Sequence, residues 1–270
     1  MNAVMLAMLC TIGQADEYAQ DFHHDFRGTE LPEELRRQPG HHPMTFEKEG
    51  LRITLPRDRK TTGQVGVVTT FPIKGNFEIT AAYEILHADQ PTEGWGVGAT
   101  LYVHADDEPG KNTAGIYRLN RVKGVQTIHW DSAVIDADGQ RDYKSDRIAS
   151  DIKLFRLRMT RNKRTLTFFW APGLAGDDFR EIGKREFIGD DLRTVTLNTT
   201  TGNQRYDLDV RFIDLRIRSS VKSLSEPELA PTGVERIQRR WRLWLVILLF
   251  GVALSAGSLS WYLRRRLSKG

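Results

Sequence analysis

The segment Asp136-Ala137-Asp138-Gly139-Gln140-Arg141-Asp142 carries three carboxylates at the spacing with which a calcium loop begins. In such loops hard oxygen ligands converge on the ion, and a glycine permits the sharp turn. The bidentate Glu that closes a typical calcium loop is missing here. Asp and Gly are also the residues that a hairpin turn requires. Asp136, Asp138 and Asp142 therefore form either a calcium site or a plain turn, and Asp106-Asp107-Glu108 has the same two interpretations.

Two pairs of adjacent histidines, His23-His24 and His41-His42, are candidate metal ligands. Neighbours in an extended chain point to opposite faces, so each pair offers at most one ligand per face. Both pairs together with a carboxylate could hold zinc, but nothing in the spacing requires it. The alternative is that these histidines are solvated.

Aromatic side chains are a third source of binding chemistry, because their flat rings can stack on sugar rings. Five of them lie in predicted strands: Trp95, Tyr102, Tyr117, Trp130 and Trp170. Aromatic residues in strands more often belong to the core. Trp95 and Trp130 are the favoured ligand-binding candidates, because polar and Gly-rich neighbours indicate nearby exposure.

The elements that must position these residues are β-strands. Period-two alternation is clear in Phe77 to Ile85, where the odd positions are apolar, and again in Leu154 to Arg161. The sequence predicts about eleven strands in all: 51–55, 64–69, 77–85, 95–104, 113–122, 125–130, 154–161, 166–170, 180–187, 194–200 and 208–218. The last strand changes parity near Phe212, which a β-bulge or burial on both faces would explain. The pattern is all-β and fits either a sandwich or a closed barrel.

Several segments together resemble concanavalin A-like, LamG-type jelly rolls, and more closely a bacterial cell-surface family defined only as a domain of unknown function. They are Asp25-Phe26-Arg27-Gly28, Lys74-Gly75-Asn76-Phe77, Gly94-Trp95-Gly96-Val97-Gly98, Leu157-Arg158-Met159-Thr160-Arg161 and Asp209-Val210-Arg211-Phe212-Ile213-Asp214-Leu215. The resemblance spans about Asp21 to Ser219. It implies an antiparallel β-sandwich in a superfamily that includes lectins, glycan-binding modules and glycoside hydrolases. Fold does not imply function.

Retaining glucanases of that superfamily carry their catalytic carboxylates as Glu-x-Asp-x-x-Glu or Glu-x-Asp-x-Glu on one strand. That spacing places the acid and the nucleophile on one face, at the separation that double displacement needs. The present sequence departs from it, since Glu47-x-Glu49 and Asp207-x-Asp209 are pairs without a third member. This departure disfavours a glycosidase.

The two ends of the chain indicate export and membrane anchorage. Residues 1–15 combine an apolar stretch with Gly13-Gln14-Ala15, which is typical of a cleavable signal, although Met1-Asn2 lacks the usual basic residue. Residues 243–263 are uncharged and long enough to cross a ~30 Å hydrocarbon core as a helix. Four basic residues stand on each side of this span, so the positive-inside rule does not fix its orientation. The export signal does, and it places the N-terminal domain outside.

Charge and cysteine content exclude several function classes. Residues 16–220 hold 30 Lys+Arg and 32 Asp+Glu, so the basic excess of the chain lies beside the predicted span. A nucleic-acid partner is therefore not expected, and the flanking arginines are placed to meet anionic lipid headgroups. Cys10 is the only cysteine and lies within the predicted signal, which excludes a thiol nucleophile and a thiolate zinc site in the mature protein.

The sequence thus predicts a signal peptide (1–15), an extracytoplasmic β-sandwich (16–220), a stalk with a basic juxtamembrane segment (221–242), a transmembrane helix (243–263) and a basic cytoplasmic tail (264–270). Leu229-Ala230-Pro231-Thr232-Gly233 resembles a variant sortase signal, which would instead join the chain to the envelope. The predicted function is a non-catalytic binding module in the cell membrane that recognises glycan or an envelope protein, with calcium as an optional cofactor. A carbohydrate-active enzyme and a structural partner in a membrane complex are the alternatives.

Overall fold

The computed structural model describes residues 18–38, 44–105, 111–136 and 138–223, which form fifteen β-strands and one short 3-10 helix at Val122–Gly124. The strands are β1 (Gln20–Asp25), β2 (Leu35–Arg37), β3 (Met44–Glu47), β4 (Gly50–Leu55), β5 (Val65–Thr69), β6 (Lys74–Ala88), β7 (Val97–His104), β8 (Thr113–Asn120), β9 (Gln126–Ile135), β10 (Arg141–Ala149), β11 (Leu154–Asn162), β12 (Thr165–Pro172), β13 (Arg180–Glu186), β14 (Thr194–Thr200) and β15 (Leu208–Val221). The chain divides into two compact units, Met1–Leu224 and Ser225–Gly270, of which the second lies outside the described residues.

The strands pair into two antiparallel sheets. Sheet A has eight strands in the order β13-β12-β11-β6-β15-β4-β3, with β1 also paired to β15. Sheet B has seven strands in the order β10-β9-β8-β7-β14-β5-β2. The predicted antiparallel sandwich of jelly-roll type is therefore confirmed for the described residues, in place of a closed barrel.

The eleven predicted strands correspond to β4–β9 and β11–β15. Four strands escape prediction: β1, β2, β3 and β10. Strands β2 and β3 are only three and four residues long, and they lie at sheet edges. Strand β10 is exposed at every position, so its sequence lacks the alternation of apolar and polar residues that marks the other strands. Charged edge strands of this kind resist pairing with other chains.

The core lies between the two sheets and consists of the apolar side chains at alternate positions of the strands. On sheet A, Tyr83 of β6 stacks on Phe155 of β11 at 5.6 Å between ring centroids and meets Phe212 of β15 edge-on at 5.2 Å. The Tyr83 hydroxyl donates a hydrogen bond to the carbonyl oxygen of Thr100 in sheet B at 3.0 Å. A fully buried tyrosine thus satisfies its polar atom by linking the sheets.

Strand β15 contains the bulge that the sequence predicts. Its register against β6 shifts between Phe212 and Asp214. The extra residue lets Phe212 and Leu215 both face the core although they are three positions apart. The parity change in the sequence is thereby explained without burial of a whole second face.

The edges of the two sheets are joined by Arg185 of β13, whose side chain is 5% exposed. Its guanidinium donates to the carbonyl and hydroxyl oxygens of Ser132 in β9 at 3.1 and 2.9 Å. It also donates to a carboxylate oxygen of Asp142 in β10 at 2.9 Å. One buried cation therefore connects sheet A to two strands of sheet B.

Among the residues that the structure describes, no helix has the length and apolar character needed to cross a bilayer. The predicted signal, the predicted span 243–263, the cytoplasmic tail and the sortase-like motif all lie outside those residues, as does the stalk beyond residue 223. These assignments remain predictions.

We predict that Arg185→Met lowers the free energy of unfolding by about 1–3 kcal/mol, because the buried oxygens of Ser132 lose their donor. The matched control is Arg164→Met. Arg164 pairs with Glu186, but the two side chains are 67% and 74% exposed, so about 0–1 kcal/mol should be lost. Denaturant unfolding of both variants measures the difference. Equal losses would show that Arg185 does not join the sheets.

Candidate functional site

The outer face of sheet B is fixed by the register of its strands. Ala99, Leu101 and Val103 of β7 belong to the core, so the alternate residues of β7 point outward. The same register continues through β8, β9 and β10, because residues directly opposite each other share a face. The outward positions on these four strands are polar or aromatic for the most part: Thr100, Tyr102, His104, Thr113, Gly115, Tyr117, Thr127, His129, Asp131, Arg141, Tyr143, Ser145 and Arg147.

Aromatic rings crowd the middle of this face. Tyr117 is met edge-on by Trp95 at 5.8 Å and lies 6.3 Å from Tyr102, measured between ring centroids. On its other side His129 approaches at 5.5 Å. A Cβ at Gly115 would lie 2.4 Å from the Tyr117 hydroxyl oxygen and 2.5 Å from Tyr102. Only glycine leaves room for both rings to lie across the sheet at this point.

Asp131 places a carboxylate beside the rings. Tyr117 donates a hydrogen bond to one of its oxygens at 2.9 Å, and Tyr143 donates to the other at 3.2 Å. Burial raises the pKa of Asp131, and the two hydroxyl donors partly oppose that rise. Burial raises the pKa of Tyr117 as well, and the neighbouring Asp131 charge adds to the effect. A carboxylate can accept about four hydrogen bonds, so Asp131 keeps acceptor capacity beyond its two tyrosines.

His129 is held as a neutral donor. An arginine can only donate, so the 3.0 Å contact from Arg121 makes Nδ1 of His129 the acceptor and places its hydrogen on Nε2. Burial lowers the pKa of His129 to about 4, helped by the charges of Arg121 and Arg147. The Nε2 atom is shielded and has no hydrogen-bond partner among the described residues; Asp131 is 4.0 Å away. The ring therefore presents an unused N–H to this face.

Three further polar atoms of the outer face share this condition. They are Thr100 Oγ1, Thr127 Oγ1 and Asn198 Oδ1, each shielded from solvent and without a partner in the described part of the chain. Asn198 of β14 lies directly opposite Thr100, so two of these atoms are close neighbours. A buried polar group left unsatisfied costs about 1–3 kcal/mol, and such groups are normally satisfied by water or by a ligand. The outer face of sheet B can thus bind a hydroxyl-rich molecule through donors, acceptors and rings together.

Of the two favoured aromatic candidates, the structure places only Trp95 on this face. Trp130 points inward, is 6% exposed and stacks on Phe168 at 4.7 Å. Its indole N–H donates to the carbonyl oxygen of Ile182 at 3.1 Å. We therefore assign Trp130 to the core in place of the predicted role in ligand binding. Trp170 is also buried in the core cluster.

The predicted calcium loop has the geometry of a turn. One carboxylate oxygen of Asp136 accepts hydrogen bonds from the backbone N–H groups of Asp138 and Gln140 at 3.0 and 2.7 Å. Asp142 is engaged by Arg185 instead. Within the described ranges no group of three or more His, Cys, Asp or Glu side chains could hold a metal ion. These three aspartates therefore give the calcium prediction no support.

The structure describes only some of the remaining metal candidates. His23 contacts a carboxylate oxygen of Asp214 at 2.5 Å, and His24 packs edge-on against Phe26. His41-His42 and Asp106-Asp107-Glu108 lie outside the described residues. The two histidine pairs are thus not brought together by anything that the structure describes.

Sequence reasoning missed the carboxylate, the histidine and the arginines of the site. A signal for them exists in β9, where Thr127, His129 and Asp131 alternate with Ile128 and Trp130. That alternation marks one face as polar. It does not show that β10 and the Trp95 segment bring further polar and aromatic groups to the same face.

Comparison with known proteins shows a family and a fold. A family model described as "Protein of unknown function (DUF1583) C domain" matches residues 12–242. No curated protein matches the chain in sequence.

Among solved structures, a mutant of the GH43 protein BlXynB from Bacillus licheniformis is similar with a TM-score of 0.53 and 12% identity, over 73% of this chain and 39% of that one. The exoplasmic/lumenal domain of VIP36 is similar with a TM-score of 0.49 and 11% identity, over 74% and 92% of the two chains. Winged bean acidic lectin gives 0.48 and 15%, over 74% and 99%. At such identities the similarity concerns the fold alone, a concanavalin A-like jelly roll. The chain spans well under half the length of the Bacillus protein.

We predict that the protein becomes less stable as pH falls from about 6.5 to about 4, in part through His129. In that window the unfolded chain protonates this histidine while the folded chain keeps it neutral, so acid favours unfolding. His129→Gln should remove about 3 kcal/mol of this pH-dependent loss. The raised pKa of Asp131 acts in the opposite direction and is present in both proteins. Unfolding free energies measured at several pH values give the comparison.

The control for this experiment is His87→Gln, because the His87 ring is 59% exposed. It should leave the pH dependence close to that of the parent chain. The prediction is contradicted if the unfolding free energies of His129→Gln and of the parent chain fall equally with pH. That result would mean that the folded protein does not keep His129 neutral in this pH range.

Proposed function

The chain belongs to the family described as "Protein of unknown function (DUF1583) C domain" and has a two-sheet jelly-roll fold, and from this premise we propose that it is a membrane-anchored, extracytoplasmic module that binds glycan. One observation carries the proposal. The outer face of sheet B combines Trp95 and Tyr117 with the carboxylate of Asp131 and with shielded polar atoms that lack partners among the described residues.

This combination suits the two surfaces of a sugar ring. The C–H groups of a pyranose form a flat apolar face that packs on aromatic side chains, and its hydroxyl groups need donors and acceptors at the rim. Trp95 supplies a half-buried ring. Asp131 accepts hydrogen bonds, and the His129 Nε2 group donates. A binding site of this composition is fixed by the sheet before any ligand arrives, which limits the entropy lost on binding.

The proposal is for binding without catalysis. Glycoside hydrolysis of the usual kind needs two carboxyl groups, about 5–5.5 Å apart for retention and about 6.5–9.5 Å apart for inversion. Among the outward positions described on β7–β10, Asp131 is the one carboxylate. Each of its two oxygens accepts a hydrogen bond from a tyrosine hydroxyl, and these bonds hold the carboxylate in position as a hydrogen-bond acceptor.

Anchorage in the membrane completes the proposal. Residues 243–263 provide an uncharged segment of the right length, and arginines stand on both sides of it. An export signal at 1–15 would place the sandwich outside the cell membrane and leave 264–270 as a basic cytoplasmic tail. The bilayer is then one partner of the chain and a glycan of the envelope or surroundings is the other.

We predict that the full chain, kept in a sugar-free detergent, binds at least one polysaccharide of a broad panel and that Trp95→Ala weakens this binding about tenfold, which corresponds to about 1.4 kcal/mol. Isothermal titration or a biosensor measures the affinity. The control is Phe179→Ala, which removes an aromatic ring from sheet A, where Phe179 lies under Arg158 at 3.5 Å. Trp130→Phe should lower the thermal stability and leave affinity within about twofold. No binding across the panel, or equal affinity for the parent and Trp95→Ala, would contradict the proposal.

We predict that deletion of residues 243–263 moves the protein from the membrane fraction to the soluble fraction, because the deleted segment supplies the hydrocarbon-spanning length. Carbonate-washed membranes, probed with an antibody against the sandwich, give the distribution. A control deletion of residues 264–270 removes only the basic tail and should leave the protein in the membrane. Anchorage at 243–263 would be disproved by a full chain that washes off the membrane.

A further inference from the structure

Three arginines surround the site on the outer face of sheet B. Arg147 of β10 is directly opposite His129, and Arg141 of the same strand is opposite Ile135, so both point outward with the site residues. Arg121 follows β8 and donates to His129 at 3.0 Å. The three guanidinium groups therefore belong to the same surface as the rings and the carboxylate.

The arginines of the opposite sheet behave differently. On the outer face of sheet A, Arg52 pairs with Asp209 at 2.5 Å, Arg216 pairs with Asp21 at 2.5 Å and Arg211 pairs with Glu47 at 3.1 Å. Each of these three arginines is therefore neutralised by a carboxylate of its own face.

In contrast, Arg121, Arg141 and Arg147 form no ion pair with any described residue. Asp131 is the carboxylate nearest in register, and both of its oxygens accept hydrogen bonds from tyrosines. On β8–β10 and the residue after β8, the register places these three arginines and Asp131 on the outer face, with a neutral His129 between them. Asp146 of β10 adds a second negative charge near His129.

Two guanidinium groups lie beside the neutral ring of His129. Arg121 touches the ring, and Arg147 lies opposite in register, so two cations approach one neutral side chain. The charge of Arg147 lowers the pKa of Arg121, in addition to the larger effect of burial, which shows that the two cations repel each other. His129 and Thr127 are two residues apart on the outer face of β9, and the Nε2–H of the first and the hydroxyl of the second are shielded and lack hydrogen-bond partners among the described residues. Thr127 itself is 1% exposed.

We propose that the ligand of this face is an acidic polysaccharide, whose carboxylate or sulfate ester is held by Arg121 and Arg147 with the His129 N–H while its sugar ring packs near Trp95. The proposal rests on the glycan-binding function above and specifies its substrate class. A planar guanidinium can donate two parallel hydrogen bonds to a carboxylate or a sulfate, and two arginines enclose one such group. The uronate and sulfate alternatives share this chemistry.

A nucleic acid is a weaker match for the same cations. The predicted domain, residues 16–220, holds 30 Lys+Arg and 32 Asp+Glu, so it has no basic excess overall. Phosphate backbones instead require basic residues along an extended track.

The test compares each acidic polysaccharide with its own neutral form. Polygalacturonate is paired with carboxyl-reduced polygalacturonate, and dextran sulfate with dextran, and a single-stranded DNA is added as a third anion. Affinities are measured on the full chain in detergent at about 0.05 and about 0.5 M salt, because screening weakens interactions between charges. We expect at least one acidic form to bind ten times more tightly than its neutral form, and the pair that shows this distinguishes uronate from sulfate.

The variants are Arg147→Gln and the double change Arg121→Gln with Arg147→Gln, with Arg164→Gln on sheet A as the control. Arg147 is exposed, so its removal should not disturb folding, and thermal melts verify this. We expect each site variant to weaken binding of the acidic form about tenfold and to leave binding of neutral forms unchanged. The control variant should bind every form as the parent chain does.

The outcomes separate the two proposals. If neutral and acidic forms bind equally, the anionic class is wrong while glycan binding stands. If DNA binds as tightly as the acidic polysaccharide, the proposed specificity for acidic polysaccharides is also wrong, and the face is a general anion site. If no polysaccharide of the panel binds, the glycan-binding function itself fails. Loss of binding in Arg164→Gln equal to that in Arg147→Gln would remove the arginine pair from the mechanism.

Discussion

The registration of β8 against β9 determines both sides of sheet B at once. Residues opposite each other on antiparallel strands share a face, so the register that sets Ile116 opposite Trp130 in the core also sets Tyr117 opposite His129 outside. A slip by one residue would expose the core and bury the site together. The packing of the sandwich therefore also positions the candidate ligand-binding groups that β8 and β9 carry.

The two outer faces of the sandwich use charge in opposite ways. On sheet A, residues of opposite charge lie next to each other on neighbouring strands and form ion pairs. Surface pairs of this kind contribute little stability each, but each of them neutralises an arginine of that face. On sheet B the cations are left free while aromatic rings fill the surface. Under the proposed function, this asymmetry makes sheet B the side that meets an anionic ligand.

Period-two alternation and turn residues were sufficient to predict the eleven strands with an apolar parity, because burial of one face leaves a visible pattern. Strand β10 gave no such pattern, and with it Tyr143 and Arg147 could not be placed. Trp130 shows the opposite error: its polar neighbours His129 and Asp131 indicated exposure, yet they belong to the other face of the same strand. Cross-strand neighbours, which single-strand patterns do not contain, decide which residues meet at the site. Conversely, the bulge at Phe212 could be predicted from the sequence, because it shifts the alternation of apolar residues within one strand.

Strand β15 also determines how the domain bears load. It lies between β6 on one side and both β4 and β1 on the other, with β4 paired to residues 208–212 and β1 to residues 214–219. A force applied along the axis of β15 would be resisted by its hydrogen bonds to all three neighbouring strands together. In mechanical terms such a force would load these ladders in shear, because their hydrogen bonds run perpendicular to the strands. A protein tethered through this end and holding a polymer on sheet B would transmit force across the core without unzipping its own edge.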